Sequence, residues 1–532
     1  MSKLDQVKIN QKPRLLWVGD SPNSNSGYAR VIRELGNNLT KKYNLTVFGI
    51  NNHMSPYIER HYNVIDALDS TGTMGFNKLL MVINSWKPNI IILLNDAAII
   101  SGYLKNINML PDNKNIVKIA YLCVDYENIL KSQATILDEN LDGLFVMTKF
   151  AEEECRKAGI NKPTYIMPHG FNKEQFKSIP KKLCIDTLNQ MTGSDVFNDN
   201  QFIIFSGNKN QIRKRLDITI HSYVYFLKHL WDGYKQPVLL LNCGMIDSGW
   251  NILELFRNFV RQYELDIDTE DENKYIMTTT PSSEHPNHSD DFINLLYNVS
   301  DIGINTSMGE SWGLVNFEHA GVGKPQIISN FSSLNEIFNE GVIKVETSDI
   351  FVHPVTMQSA MGQGRVVNYK RVAEAIKTYY NMSTTDIKKE GKKAQDIVLN
   401  YKWEQICEQC IQYINIIDRE KIVFDETDNS FEGDSESKEI ISKNTKLLNT
   451  PKYNDNLRKI RDVSNLEVKT ITKNNSSHHH KKDKSDEIHI KINEKQNKKT
   501  TYNIEDDVNL SLDIESDIEI EFDDTSTITM SS

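Results

Sequence analysis

Apolar residues over the first 345 positions follow two rhythms: short, nearly continuous runs alternate with stretches in which they recur every three or four residues. The runs read as strands buried on both faces and the periodic stretches as amphipathic helices. Strands are predicted at 14–20 (RLLWVGD), 44–50 (NLTVFGI), 89–95 (NIIILLN), 117–125 (VKIAYLCVD), 143–148 (GLFVMT) and 164–170 (TYIMPHG). After a polar interval at about 176–200, a second series follows at 201–207, 237–244, 275–280, 302–307, 325–330 and 342–345. Alternating strands and helices build parallel sheets in an α/β fold. Two successive series predict two facing Rossmann-like domains, with ligands bound in the cleft at the carboxyl ends of the strands.

From 369 to about 418 the pattern turns helical, and beyond 420 it collapses. Residues 421–532 hold 17 Lys+Arg and 24 Asp+Glu but no Trp or Cys. Such a segment cannot bury enough apolar surface to offset its ordering entropy, so a disordered charged tail is expected. Its stretch 505–524 has ten acids and no base, and suits either a contact with a protein partner or plain solvation. The expected divisions are 1–175, 176–420 with the closing helices, and the tail at 421–532.

A chain of 532 residues exceeds one ordinary core, in keeping with two domains. The net charge of -11 argues against a general nucleic-acid binder, which needs a basic surface. Six cysteines show no disulfide-framework spacing, and the close pair Cys407 and Cys410 lacks a second pair to complete a zinc site. The N-terminus has no apolar export region and no run approaches membrane-spanning length, so a cytoplasmic chain without a transmembrane segment is expected.

Three loops at predicted strand ends carry candidate chemistry. In GDSPNSNSGYARVIREL a helix opens near Ser26 and Gly27; free N–H groups at such a start attract anions and Gly27 allows close approach. An ordinary capped helix gives the same pattern, and the dinucleotide spacing G-x-G-x-x-G is absent. In SGNKNQIRKRLD, Lys209, Arg213, Lys214 and Arg215 crowd one loop of a net acidic chain. That concentration suits a diphosphate clamp, with Lys209, Arg213 and Lys214 as the candidates and solvated surface charge as the plain alternative.

The third loop is GESWGLVNFEHAGVGKP, residues 309–325. A helix starting near Gly313 offers the N–H groups of Gly313, Leu314 and Val315 to an anion, with Glu310 just before it and Glu318 in its second turn. Carboxylates are poor neighbours for phosphate and good acceptors for vicinal hydroxyls. Two of them flanking an anion site suit a ligand with sugars on both sides of its phosphates, a nucleotide-sugar.

The E-x7-E pattern of ESWGLVNFE followed by HAGVGKP resembles the donor motif of GT-B retaining glycosyltransferases, specifically the large family 4. SGNKNQIRKRLD is similar to that family's basic loop, MPHGFNKEQF to its interdomain turn and SGYARVIREL to its N-terminal glycine loop, all in the family's order. The resemblance implies an acceptor-side domain at 1–175, a donor domain at 176–420, and transfer of a sugar from a UDP- or GDP-sugar to a hydroxyl on a glycan, lipid or protein. It further implies that Glu310 contacts the transferred sugar and Glu318 the ribose. The N–H groups of Gly313 and Leu314 then meet the diphosphate, and Arg213 and Lys214 compensate the charge growing on it, with no cofactor and no obligatory metal.

The chain departs from the family at Asn208, where an arginine is usual, and at Arg213, where a lysine is usual. Where many members carry a histidine after the fourth strand, YLCVDYEN offers Asp125, which serves either the sugar or acceptor, or merely as a cap. His169 and Gly170 fit a junction role. The Asn-, Ile- and Lys-rich composition resembles proteins of AT-rich genomes, giant DNA viruses among them. The alternative function is a non-catalytic sugar-nucleotide-binding scaffold with an interaction tail.

Overall fold

The computed structural model describes residues 12–52, 60–70, 72–268, 271–352 and 362–427. The expected tail beyond 427, with its acidic stretch, lies outside the described residues.

The first series folds in chain order as β1 (Arg14–Asp20), α1 (Gly27–Leu39), β2 (Asn44–Ile50), β3 (Asn63–Asp66), α2 (Phe76–Trp86), β4 (Ile90–Asp96), α3 (Ala97–Ile107), β5 (Val117–Cys123), α4 (Lys131–Asn140), β6 (Gly143–Val146), α5 (Lys149–Lys157) and β7 (Thr164–Ile166). These strands form one sheet in the order β3-β2-β1-β4-β5-β6-β7, every pair parallel. Leu15 and Trp17 of β1 enter one buried cluster and Leu16 and Val18 another, so both faces are covered, as the continuous apolar runs require.

The second series runs α6 (Lys181–Thr192), β8 (Gln201–Ser206), α7 (Leu216–His229), β9 (Gln236–Leu241), α8 (Ile252–Gln262), β10 (Ile276–Thr278), α9 (Asp290–Val299), β11 (Ile302–Ile304), α10 (Leu314–Gly321), β12 (Gln326–Ser329), α11 (Ser332–Ile337) and β13 (Val342–Val345). Its sheet, also all parallel, has the order β10-β9-β8-β11-β12-β13. Both sheets therefore reverse direction beside their first strand, between β1 and β4 and between β8 and β11. Those two reversals mark where a ligand crevice opens.

Several predicted bounds shift. The strand expected at 117–125 ends at Cys123, which leaves Asp125 on a loop beyond the sheet. The one expected at 164–170 ends at Ile166, before Pro168, which has no N–H for a ladder. Unpredicted are β3, a partly buried edge strand, and an antiparallel ribbon of β14 (Thr347–Val352) and β15 (Gln363–Val367).

The chain closes through α12 (Tyr369–Tyr380), α13 (Thr384–Val398) and α14 (Trp403–Thr427). Although the sequence groups these helices with the second half, α14 packs on the first. Asn415 accepts from the Tyr43 hydroxyl at 3.3 Å, and a Cβ on Gly143 would lie 2.5 Å from Ile417 Cδ1. The helix also overruns the expected boundary at 420: Lys421 donates to the Ile116 carbonyl at 2.7 Å and pairs with Asp142 at 3.0 Å. Cys407 and Cys410 are buried in this packing, and one core cluster runs from β1 through β8 to α14. Among the described residues, no helix is long and apolar enough to cross a membrane.

Candidate active site

Both reversal points face the same group of charges. Past β11 the chain forms the loop 305–313, whose Gly313 (φ 81°) takes the left-handed conformation that starts α10. Within that loop Glu310 is 5% exposed, and its backbone is pinned from α11: its N–H donates to Ser332 Oγ at 3.0 Å and its carbonyl accepts from Ser333 Oγ at 2.6 Å. Its Oε1 accepts from Lys214 Nζ at 2.5 Å, Ser307 Oγ at 2.8 Å and Asn305 Nδ2 at 3.2 Å. Its Oε2 accepts from the Arg213 guanidinium at 3.1 Å. Burial alone pushes this carboxyl up, but Lys214 and then Arg213 outweigh it and hold it at about 2.

Arg213 and Lys214 come from the short turn that follows β8, so the two reversal strands of the second sheet supply Glu310 and both of its cationic partners. Arg213 also reaches the first half, where its Nε lies 3.4 Å from Asp125 Oδ2. Burial opposes the Arg213 charge; Asp125 and Glu310 more than offset it and raise the guanidinium well above its usual range. For Lys214, burial and then the neighbouring Arg213 win over Glu310 and lower its pKa. Asp125 accepts from Ser311 Oγ at 2.6 Å, and a Cβ on Gly309 would come within 2.0 Å of the Asp125 carbonyl oxygen. The two halves meet here through backbone that leaves room only for glycine.

The glycine loop of the first half meets the E-x7-E helix end to end. Ser26 caps α1, accepting from the Ala29 N–H at 3.1 Å while its own hydroxyl donates to Asp20. Gly27 is exposed, and a Cβ there would stand 3.2 Å from Leu314 Cδ1. Two helix N-termini, one from each sheet, thus converge, and their partial positive ends and unpaired N–H groups favour an anion between them.

One turn further along each helix the pairing repeats: Arg30 of α1 faces Glu318 of α10, Nε to Oε1 3.4 Å. Glu318 Oε2 accepts from the Tyr297 hydroxyl at 3.0 Å. Burial raises the Glu318 carboxyl to about 7; Arg30 opposes this and Asp290 adds to it.

Of the predicted residues, Glu310, Arg213, Lys214 and Asp125 form one cluster, and Gly27, Gly313, Leu314 and Glu318 border the helix junction beside it. Lys209 stays out: its side chain is exposed, and its charge acts on His285, which burial and then Lys209 hold at about 4. His169 is buried against Tyr121, Trp312 and Trp403, at the junction of both halves and α14.

Sequence reasoning missed Arg30, although it lies in the quoted SGYARVIREL, and missed its partners Asp290 and Gln175, which carry no local signal. It also missed Asp96, which accepts from the Tyr28 hydroxyl at 3.0 Å and is raised to about 7 by burial and then by Asp125. A polar pair closing the apolar run IIILLND was the available sign.

No protein-family model and no curated protein sequence matches this chain. Solved structures do. HepE from Anabaena, in complex with UDP and glucose, superposes with a TM-score of 0.54 at 14% identity over 76% of this chain and 99% of its own. Sucrose-phosphate synthase from Thermosynechococcus elongatus gives 0.55 at 14% identity, with the same two coverages of 76% and 99%. A glycosyltransferase from Rickettsia africae gives 0.54 at 16% identity over 77% and 99%. At such identities the likeness establishes the fold, and this chain has the GT-B fold of two Rossmann-like domains.

Proposed function

We propose that the chain is a retaining glycosyltransferase of the family 4 type, which moves a sugar from a UDP- or GDP-sugar to a hydroxyl acceptor on a glycan, lipid or protein. The observation that carries this reading is the Glu310–Arg213–Lys214 cluster beside two convergent helix N-termini, at the reversal points of both sheets. The HepE structure, which holds UDP and glucose in the same fold, adds support.

In this reading the diphosphate lies between the ends of α1 and α10, on the N–H groups of Gly313 and Leu314. Arg213 and Lys214 keep donors to spare after binding Glu310, and those donors meet the charge that grows on the leaving diphosphate as the glycosidic bond breaks. Such charge compensation needs no metal ion. Glu310, ionised and rigidly held, accepts from hydroxyls of the transferred sugar. Glu318 accepts from the ribose, and Asp125 borders the sugar on the acceptor side. The donor's own phosphate oxygen takes the acceptor's proton in a front-face displacement.

Titrating the purified protein with UDP and GDP tests the donor site. Saturable binding of one of them, weakened by Lys214→Ala, is expected; binding of neither overturns the reading.

A further inference from the structure

The charge of Glu318 depends on the opposite half. Its own half supplies one group that favours ionisation, the Tyr297 hydroxyl that donates to it, and one that opposes it, Asp290 at the start of α9. The favourable charge is Arg30, which comes from α1 of the opposite half, while Glu34 on the same helix adds a further negative charge.

Arg30 is itself oriented by a fixed set of acceptors. Its guanidinium forks onto both oxygens of Asp290, one at 2.9 Å, and onto Gln175 Oε1 at 2.7 Å. Its Cζ stands 5.1 Å from the centre of the Phe176 ring. The cluster walls a cavity of about 750 Å³ that Arg33 and Glu34 also line. Arg30 thus stands between that cavity and Glu318.

We propose that Arg30 is a positioning residue for the nucleotide: it aims the Glu318 carboxylate across the junction, so that the donor clamp is complete only when the two halves are together. The inference rests on the donor-site reading of Glu318 given above. A carboxylate has about four acceptor positions. With Tyr297 and Arg30 each taking one on different oxygens, one position per oxygen remains for a vicinal diol such as the ribose 2′ and 3′ hydroxyls. A protonated carboxyl loses one of those acceptor positions, so nucleotide affinity follows ionisation of Glu318.

The sign of each change follows from the charges. Removing Arg30 leaves only the Tyr297 hydrogen bond against Asp290, Glu34 and burial, so the pH at which affinity rises moves up. Removing the Asp290 charge takes away a repelling neighbour and releases Arg30 toward Glu318, so that pH moves down. Loss of general packing has no reason to move it in opposite directions.

Calorimetric binding of UDP and GDP from pH 5.5 to 8.5 tests this in the wild type, Arg30→Ala, Arg30→Lys and Asp290→Asn. The expected result at pH 7 is binding about ten- to a hundredfold weaker in Arg30→Ala, the worth of one hydrogen bond to a charged group. Its pH midpoint rises, Arg30→Lys brings it back toward the wild type, and Asp290→Asn lowers it. Unchanged affinity and midpoint in Arg30→Ala overturn the proposal, and so does an upward shift in Asp290→Asn if Arg30→Ala fails to fold. Binding of neither nucleotide by the wild type is a distinct result, which removes the donor-site reading itself.

Discussion

Lys214 Nζ lies 2.5 Å from Glu310 Oε1, and both groups are almost buried, with side-chain exposures of 12% and 7%. The contact joins the loops that follow β8 and β11, the two strands flanking the reversal of the second sheet. Breaking it from either side leaves a buried charge without its partner, which costs about 3–5 kcal/mol in such surroundings. Glu310→Gln, which keeps the shape and loses the charge, is therefore expected to lower the urea midpoint measurably and to cut turnover more than donor affinity. A variant with parental stability and turnover contradicts the placement.

The two glutamates are expected to separate kinetically. Glu318→Ala weakens nucleotide binding, because it removes the acceptor for the ribose. Glu310→Ala chiefly lowers kcat, on the order of 10²–10³-fold if the lost contact acts mainly in the transition state. Steady-state kinetics with a saturating acceptor check this, and equal nucleotide binding by Glu318→Ala and the parent refutes the assignment.

Stability against pH carries the opposite signs of these two groups. The Glu310 carboxyl is depressed from 4.5 to about 2, so its contribution is present above about pH 4.5 and is lost as the pH falls through 2. Glu318 is raised from 4.5 to about 7, so the folded state binds more protons than the unfolded one in that interval and stability falls as the pH rises from 4.5 to 7. Melting temperatures of Glu318→Gln between pH 4.5 and 8 are expected to lack that decline. An identical slope in the variant and the parent argues against the burial that raises the Glu318 carboxyl.

Gly309→Ala tests the meeting of the halves. Its Cβ would be 2.0 Å from the Asp125 carbonyl oxygen, with backbone rather than a movable side chain in the way. We expect a loss of about 1–3 kcal/mol, typical of overpacking, together with a drop in turnover. Parental kinetics in this variant contradict the close approach of these loops.

Much of the fold was legible because strands buried on both faces leave continuous apolar runs, and twelve expected strands lie on twelve observed ones within a few residues. The edge strand β3 and the ribbon of β14 and β15 were not, because partly exposed strands lose that signal. Glu127 shows what went unseen: Arg365 of β15 binds its carboxylate at 2.6 Å from the other half of the chain. In the site, Glu310 and Glu318 were legible from their spacing around a helix start. Arg30 and Asp290 were not, since 260 positions separate two residues that only the closed pair of domains brings together.

Truncation after residue 427 is expected to keep both fold and donor turnover, since every described contact of the site lies before it. Truncation after 402 removes Trp403, Cys407, Cys410 and Ile414 from the shared core and is expected to abolish folding. Circular dichroism and donor turnover of the two truncations read this directly.

The reaction proposed for the site is glycosyl transfer from a nucleotide-sugar. Its most direct test is nucleoside-diphosphate release by the purified full-length chain from a panel of UDP- and GDP-sugars, with a chelator present and with glycan, lipid and peptide acceptors supplied in turn. Release from one donor is expected, dependent on an acceptor, unaffected by the chelator and lost in Lys214→Ala. Tight donor binding with no release on any acceptor, or release that only a divalent metal restores, contradicts it.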